Sequence, residues 1–247
     1  MNTTWRKCAA ASALALCVTP ALADDDEGNF AMAFRTPASG PGAIAATAPG
    51  SPVTLQTDFL RMEALVKWDG PPNRGGLIVY NGHGCCSGWG ILLLGDNDGP
   101  AFAHKLSVLA GGITVGVAEV TLPVGVWTQV AMERRGQVVT LTLRGTGKKD
   151  PTQTFDLGII PVNPLGVDNR PVGGGQTVRT TEKLTIGENF NGIIDDVKIR
   201  TLDTKQTVES FRFNKVTGFT AVGKNGAALD LQSANWIGIP GDDHDDD

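Results

Sequence analysis

The sequence predicts an all-β protein, built as an antiparallel two-sheet β-sandwich. Two observations predict this class. Short apolar segments recur along the chain between turn-forming residues, and helical periodicity is almost absent. Glycine is abundant at 32 residues, and 14 prolines add further points where strands end. The length of 247 residues also suits a single domain, since sandwiches and barrels run to about 200–250 residues.

The first 23 residues are predicted to be a secretory signal peptide and not part of the fold. Arg6 and Lys7 give a positive start, an apolar run follows over Cys8–Val18, and residues 21–23 read Ala-Leu-Ala, a cleavage site of small residues. The apolar run is shorter than the roughly 20 residues that a membrane span needs. We therefore expect an exported protein, periplasmic or secreted, without a membrane span.

After the signal peptide, the predicted domain layout has three parts. Residues 24–52 are an acidic start and a lead-in rich in Pro, Ala and Gly, with one short strand at Phe30–Phe34. Residues 53–238 form the sandwich, and 239–247 are an acidic tail. Within the sandwich, apolar runs between turns predict strands at Phe59–Trp68, Leu77–Tyr80, Gly90–Leu94, Phe102–Leu109, Ile113–Val120, Trp127–Arg134, Val139–Leu143, Leu184–Gly187 and Gly192–Arg200.

A tight hairpin is predicted over 127–143. Val139, Leu141 and Leu143 alternate with threonines, which is typical of a strand with one buried face, and Arg135-Gly136-Gln137 supplies the turn before it. Only one helix is expected, at Thr204–Ser210, because its first residues match a capping box.

Several segments resemble, in the same order, strands of a known family. Residues 59–67 read FLRMEALVK, residues 127–131 read WTQVA, and residues 184–187 and 190–199 read LTIG and FNGIIDDVKI. These resemble the F-T-L-E-A-W-V, W-T-H-V-A and L-x-I-G … F-N-G-x-I-D-D-V-R-I strands of laminin-G-like domains in the concanavalin A-like superfamily. The resemblance covers roughly 42–208 and implies a jelly-roll sandwich.

The chain departs from this family at two places. Residues 211–214 and 223–226, FRFN and GKNG, are similar to a segment that often opens the family's domains, but here they follow the usual last strand. We expect 211–238 to close the same sandwich, and the alternative is the truncated start of a second repeat. The glycine-containing insertion 163–179 is predicted to be a flexible loop.

The sequence gives no sign of the catalytic carboxylates that the resemblance would allow. Glucanases of the superfamily carry E-x-D-x-x-E on a strand, because alternate residues face one cleft. No such triplet occurs here: Glu63 and Glu119 are isolated, and the adjacent Asp195 and Asp196 would face opposite sides of a strand. We therefore expect a protein that is not an enzyme.

The most unusual stretch reads His-Gly-Cys-Cys-Ser-Gly-Trp, from His83 to Trp89. Once the signal peptide is removed, Cys85 and Cys86 are the only cysteines, and an exported chain meets an oxidising compartment. The pair allows a vicinal disulfide beside Trp89, a soft-metal site with His83, a Cys-His catalytic pair, or a turn without function.

Aromatic rings near predicted loops are candidates for stacking on a ligand. Tyr80, Trp89 and Trp236 lie near such loops, whereas Trp68 and Trp127 fit core positions. The candidate ligand-binding residues are Tyr80, His83, Cys85, Cys86 and Trp89, and Trp236 is a further candidate for stacking.

Calcium is the one cofactor that the sequence suggests. Asp96 and Asp98 offer oxygens within one turn, which suits calcium and equally suits a plain hairpin turn. Asp195 shares strand parity with Ile193 and Val197 and is expected on an apolar face, where a carboxylate needs a partner. That partner is either a hydrogen bond from a neighbouring loop or a calcium ion.

Composition and motifs together favour a recognition module. The net charge is −5 for the whole chain and no basic stripe occurs, so nucleic-acid binding is disfavoured. We expect an exported, non-catalytic module that binds a glycan or a protein at loop edges, with calcium as an optional aid. The alternatives are a structural or assembly subunit of an envelope or multi-protein complex, and an enzyme that uses His83, Cys85 and Cys86.

Overall fold

The computed structural model describes residues 30–35, 41–48, 59–72, 75–83, 87–111, 113–147, 150–159, 183–214 and 216–239. In this part of the chain no helix is long and apolar enough to cross a membrane. A 3-10 turn lies at Asp96–Asp98. The strands are β1 (Phe30–Phe34), β2 (Ile44–Thr47), β3 (Phe59–Trp68), β4 (Gly76–His83), β5 (Ser87–Leu93), β6 (Lys105–Ala110), β7 (Ile113–Thr121), β8 (Trp127–Arg135), β9 (Val138–Gly145), β10 (Thr152–Ile159), β11 (Lys183–Ile186), β12 (Gly192–Thr201), β13 (Thr207–Phe211), β14 (Thr220–Val222), β15 (Ala228–Gln232) and β16 (Asn235–Gly238).

The strands form two antiparallel sheets of eight strands each. The first sheet has the order β10-β9-β8-β3-β12-β1-β16, and β13 also pairs with β12. The second has the order β14-β15-β2-β11-β4-β5-β6-β7. This arrangement confirms the predicted all-β sandwich of two antiparallel sheets.

Alternation along β3 shows how the sequence builds the core. Leu60, Met62, Ala64 and Val66 point inward and are almost fully buried. The residues between them face the outer surface of the first sheet, where charged side chains meet those of neighbouring strands. The inward residues pack against the second sheet, and removing this apolar surface from water contributes about 25 cal/mol per Å².

The predicted hairpin is confirmed. β8 and β9 pair up to Arg135 and Val138, which leaves Gly136 and Gln137 as a two-residue turn. Gly136 has a φ of 63°, a conformation that glycine adopts without steric cost. Val139, Leu141 and Leu143 are buried, as their alternation with threonine predicts.

The predicted helix at Thr204–Ser210 is wrong. Thr207–Phe211 is strand β13, which pairs with the second half of β12. Lys205 has a φ of 56°, which ends any helical path before the strand begins. The capping-box pattern is local, whereas pairing with β12 buries Ser210 and Phe211, and the tertiary contacts outweigh the local preference.

Two other segments differ from expectation. β2 lies inside the lead-in that was expected to be irregular, and it pairs with both β11 and β15. The strand expected from Phe102 begins only at Lys105, because the N–H of Ala103 donates to the carbonyl of Gly99 at 2.9 Å in a tight turn.

The C-terminal strands join both sheets. β14 and β15 form a hairpin at one edge of the second sheet, where β15 pairs with β2. β16 pairs with β1 at an edge of the first sheet. The turn between β14 and β15 lies against β13, where the N–H of Lys224 donates to the carbonyl of Ser210 at 2.9 Å.

Candidate functional site

Two of the predicted ligand-binding aromatics lie in the protein interior. Trp89 is fully buried and Tyr80 is 4% exposed. The guanidinium carbon of Arg134, itself buried, lies 4.6 Å from the centre of a Trp89 ring. Such burial does not fit the exposed ring face that stacking on a glycan requires. Cys85, Cys86 and the His83 side chain lie outside the described part of the structure.

The predicted calcium candidates Asp96 and Asp98 lie in the 3-10 turn and each has a protein partner. The Asp98 carboxylate accepts the N–H of Gly95 at 2.5 Å, and Asp96 contacts the imidazole of His104. Among the residues that the structure describes, no three His, Cys, Asp or Glu side chains are grouped to hold a metal ion. Asp96, Asp98 and Asp195 therefore do not form one shared site.

Asp195 lies at a β-bulge, and this corrects its predicted face. The pairing of β12 with β3 shifts between Asp195 and Lys198, so that two residues of β12 stand opposite one of β3. The bulge reverses the alternation of side chains. Ile194 and Val197 both face the core, whereas Asp195 is half-buried and does not share the face of Val197.

The Asp195 carboxylate holds two backbone groups in place. Its Oδ1 accepts the N–H of Asp196 at 2.7 Å and that of Phe213 at 3.3 Å. Burial raises the pKa of Asp195 above its ordinary value, and these two hydrogen bonds only partly oppose that effect. The sequence predicted either a hydrogen bond from a neighbouring loop or a calcium ion as the partner of Asp195. The structure has the hydrogen bond, which the N–H of Phe213 donates.

The clearest site-like feature is an open groove beside β13 with a volume of about 590 Å³. This volume lies within the roughly 300–1,000 Å³ typical of ligand-binding clefts. We call it the cationic groove, because four of its lining side chains are positively charged. Its lining consists of Lys198, Arg200, Thr207, Ser210, Arg212, Val222, Gly223 and Lys224.

One buried carboxylate builds the far wall of the cationic groove. Glu209 is 1% exposed, and its Oε1 accepts the N–H groups of Ser210 and Asn225 at 2.9 and 2.8 Å. Its Oε2 accepts the N–H of Ala227 at 2.9 Å. A Cβ at position 223 would lie 2.5 Å from this carboxyl group, so Gly223 permits the close approach. Glu209 therefore anchors the β14–β15 turn of one sheet onto the edge of the other.

The near wall comes from alternate residues of β12. Lys198 and Arg200 project from the outer face of the first sheet, and each has one acidic partner. The Lys198 ammonium lies 2.5 Å from Asp196, and the Arg200 guanidinium lies 2.7 Å from Glu63. These pairs fix the near wall while leaving part of each cation facing the groove.

The near wall continues into a row of alternating charges on the outer face. Arg61 donates to Glu63 at 2.7 Å and to Glu133 at 2.6 Å, and Arg135 lies 3.2 Å from Glu133. Burial would lower the pKa of Arg61, but the two carboxylates outweigh it and raise that pKa. Burial would likewise raise the pKa of Glu133, but the hydrogen bond and charge of Arg61 lower it. The row holds Glu63, and through it Arg200, in position.

Sequence reasoning missed the cationic groove for a physical reason. Lys198 and Arg200 are two apart on a strand, so their shared face is readable. Arg212 and Lys224 come from a loop and a turn that meet β12 only in the folded protein. The one signal of the groove in the sequence is the i, i+2 pair of cations on β12.

The two antiparallel sheets form a β-sandwich, and comparison with solved structures agrees that the fold is of the jelly-roll kind. No protein-family model matches the chain, so laminin-G membership is not shown, and no curated protein matches it. A proposed carbohydrate-binding protein from Bacteroides ovatus ATCC 8483 matches in structure with a TM-score of 0.54 and 13% identity. The match covers 86% of this chain and 61% of that one, so the chain spans less than two thirds of that protein's length.

A second solved structure is similar at a lower level. The heptameric SAP-like pentraxin from Limulus polyphemus has a TM-score of 0.44 and 12% identity, over 84% of this chain and 97% of that one. The Bacteroides ovatus match, with a TM-score of 0.54 at 13% identity, shows a shared fold and nothing finer.

Proposed function

We propose that this protein is an exported, non-catalytic recognition module that binds a glycan in the cationic groove. The observation that carries the proposal is the groove itself, an open cleft of about 590 Å³ lined by charged and hydroxyl side chains. Polar donors around an open cleft suit a ligand rich in hydroxyl groups, which is the chemistry of a glycan. The structural likeness to a protein proposed to bind carbohydrate supports the same class of ligand.

The direct test is a glycan array probed with the purified mature chain. We expect binding to a subset of glycans, and weaker binding by a variant in which Thr207→Trp, at an exposed position of the lining, fills the groove. Gly238→Trp is the control, because an added Cβ there would meet nothing within 4 Å. Binding of no glycan at all by a folded protein would contradict the proposal.

The second candidate function is a structural or assembly subunit. It is favoured by the edge formed by residues 216–222, where Phe219 is 84% exposed, Val222 61% and Val216 48%. Exposed apolar residues at a sheet edge are typical of docking surfaces. Sedimentation of the wild type and Phe219→Ser separates the two candidates: a concentration-dependent complex that the substitution abolishes would favour assembly.

A role for calcium stays a prediction. Its test is the melting temperature of the mature chain with EDTA and then with added calcium, because a ligand of the folded state raises that temperature. A rise that EDTA reverses would support a bound ion, and the absence of a shift would contradict it.

A further inference from the structure

We infer that the cationic groove selects an acidic glycan, one whose sugar units carry an oxyanion such as a carboxylate. The inference rests on the proposed function and adds the chemical class of the ligand. It depends on three observations: the charge of the groove, the polar atoms beside it that lack a hydrogen-bond partner, and its position on an acidic protein.

The groove has more positive than negative charge. The groove has four cations, Lys198, Arg200, Arg212 and Lys224. Beside them are three carboxylates: Glu63 and Asp196, which form ion pairs with groove cations, and the buried Glu209 of the far wall. No carboxylate in the described part of the chain lies within ion-pair distance of Lys224. Four cations against three carboxylates leave one positive charge for a ligand to neutralise.

Arg212 is the cation best placed to accept such a ligand. Its side chain is 69% exposed, and its contact with Asp196 is long, at 3.7 Å. An exposed ion pair of this length contributes little to stability, so a ligand can compete for the guanidinium at small cost. A guanidinium also matches a carboxylate or phosphate with two parallel hydrogen bonds.

Two buried polar atoms beside this groove lack a hydrogen-bond partner. Among the described residues, the buried side-chain atoms without a hydrogen-bond partner are few, and they include Nε of Arg200 and Oδ1 of Asp196. Arg200 lines the groove, and Asp196 pairs with two residues that line it. Buried polar groups are normally satisfied. Nε of Arg200 is a donor that suits an oxyanion, whereas Oδ1 of Asp196 is an acceptor that suits a hydroxyl group, so the two atoms together suit a sugar that carries both groups.

The surroundings of the groove favour a sugar as the carrier of the anion. Thr207 and Ser210 offer hydroxyl groups, and Val222 offers an exposed apolar side chain against which the C–H face of a sugar ring can pack. The whole chain has a net charge of −5, so it repels polyanions at long range. Binding of an acidic glycan must then come from contacts within the groove.

The test measures affinity for one oligosaccharide with and without its charge. Oligogalacturonate supplies carboxylates, its fully methyl-esterified form removes them, and a sulfated oligosaccharide supplies a second kind of oxyanion. Isothermal titration is performed on the wild type and on a double variant, Arg212→Gln with Lys224→Gln. The control is Arg144→Gln with Lys183→Gln, which removes the same charge at exposed positions away from the groove.

We expect the wild type to bind an acidic oligosaccharide at least about tenfold more tightly than the esterified form, since charge-assisted hydrogen bonds are the stronger ones. The groove variant should lose about tenfold in affinity or more, and the control variant should not. The carboxylate and sulfate arms then show which oxyanion is preferred. Equal affinity for the esterified form, or equal loss in both variants, would overturn the inference while leaving glycan binding standing. Absence of binding to any oligosaccharide would contradict the proposed function as well.

Discussion

Asp195 on β12 accepts the backbone N–H of Phe213 at 3.3 Å, at the point where β12 changes its neighbour. Before this point β12 pairs with β1, and beyond it β12 pairs with β13. The carboxylate therefore covers a gap between two partner strands that no regular ladder of hydrogen bonds fills. It also fixes the residue next to Arg212, so this contact connects the fold to the cationic groove.

Replacing Asp195 should separate its hydrogen-bonding role from its charge. Asp195→Ala should lower the free energy of unfolding by about 1–3 kcal/mol, because the N–H groups of Asp196 and Phe213 lose their acceptor. Asp195→Asn keeps an amide oxygen there and should cost less. Urea unfolding of both variants measures the difference, and an equal loss in both would contradict the role assigned to Oδ1.

The same residue predicts a pH dependence with a definite sign. Because the pKa of Asp195 is raised in the folded state, the folded protein binds this proton more tightly than the unfolded chain does. Its contribution to stability is fully present below the unfolded pKa and is lost as the pH rises through the folded pKa. The free energy of unfolding of Asp195→Asn, relative to that of the wild type, should therefore increase as the pH rises from acid to neutral. A decrease in the relative stability of Asp195→Asn over this pH range would contradict the assignment.

Glu133 should show the opposite sign. Its pKa is lowered in the folded state by the hydrogen bond and charge of Arg61, which outweigh burial. Its contribution is present above the unfolded pKa and is lost as the pH falls through the folded pKa. Glu133→Gln should thus lose stability relative to the wild type at neutral pH, by less than about 1 kcal/mol because the pair is partly exposed. Chemical unfolding at a series of pH values measures the difference in stability between Glu133→Gln and the wild type. A difference that does not shrink at acid pH would contradict the role assigned to Glu133.

Glu209 should matter far more to stability than its charge suggests. Glu209→Ala removes the acceptor of three backbone N–H groups and should lower the free energy of unfolding by about 2–4 kcal/mol. Glu119→Ala is the matched control, because Glu119 is 77% exposed and pairs with Lys105 at the surface. Similar urea midpoints for the two variants would contradict the anchoring role of Glu209.

Trp89 should behave as a core residue. Trp89→Ala should cost about 3–5 kcal/mol of stability, because it leaves a large cavity beneath the buried Arg134. The milder Trp89→Phe should leave glycan affinity unchanged if the ligand binds in the cationic groove. Loss of glycan affinity in a stably folded Trp89→Phe would instead favour a binding site near residues 83–89.

What the sequence predicts well is local. The β8–β9 hairpin follows from Gly136 in its turn and from the alternation of Val139 and Leu141, and no distant residue is needed to read it. The inward face of β3 is equally plain from its apolar pattern. The sheet-level fold class could thus be predicted from patterns a few residues long.

What the sequence does not predict depends on distant strands. The capping pattern at Thr204 suggested a helix, yet pairing with β12 makes β13. The alternation along β12 was misread because the bulge at Asp195 cannot be seen in a one-dimensional pattern. The groove brings together residues from β12, from the loop after β13 and from the β14–β15 turn, so it exists only after the two sheets have docked.

The central claim is that the ligand binds between β12–β13 and the β14–β15 turn. Hydrogen–deuterium exchange, followed by mass spectrometry with and without a saturating glycan identified on the array, tests this location directly. We predict slower exchange in peptides that contain residues 207–212 and 222–225, which border the groove. Protection confined to peptides around 83–89, with none at the groove, would contradict the account.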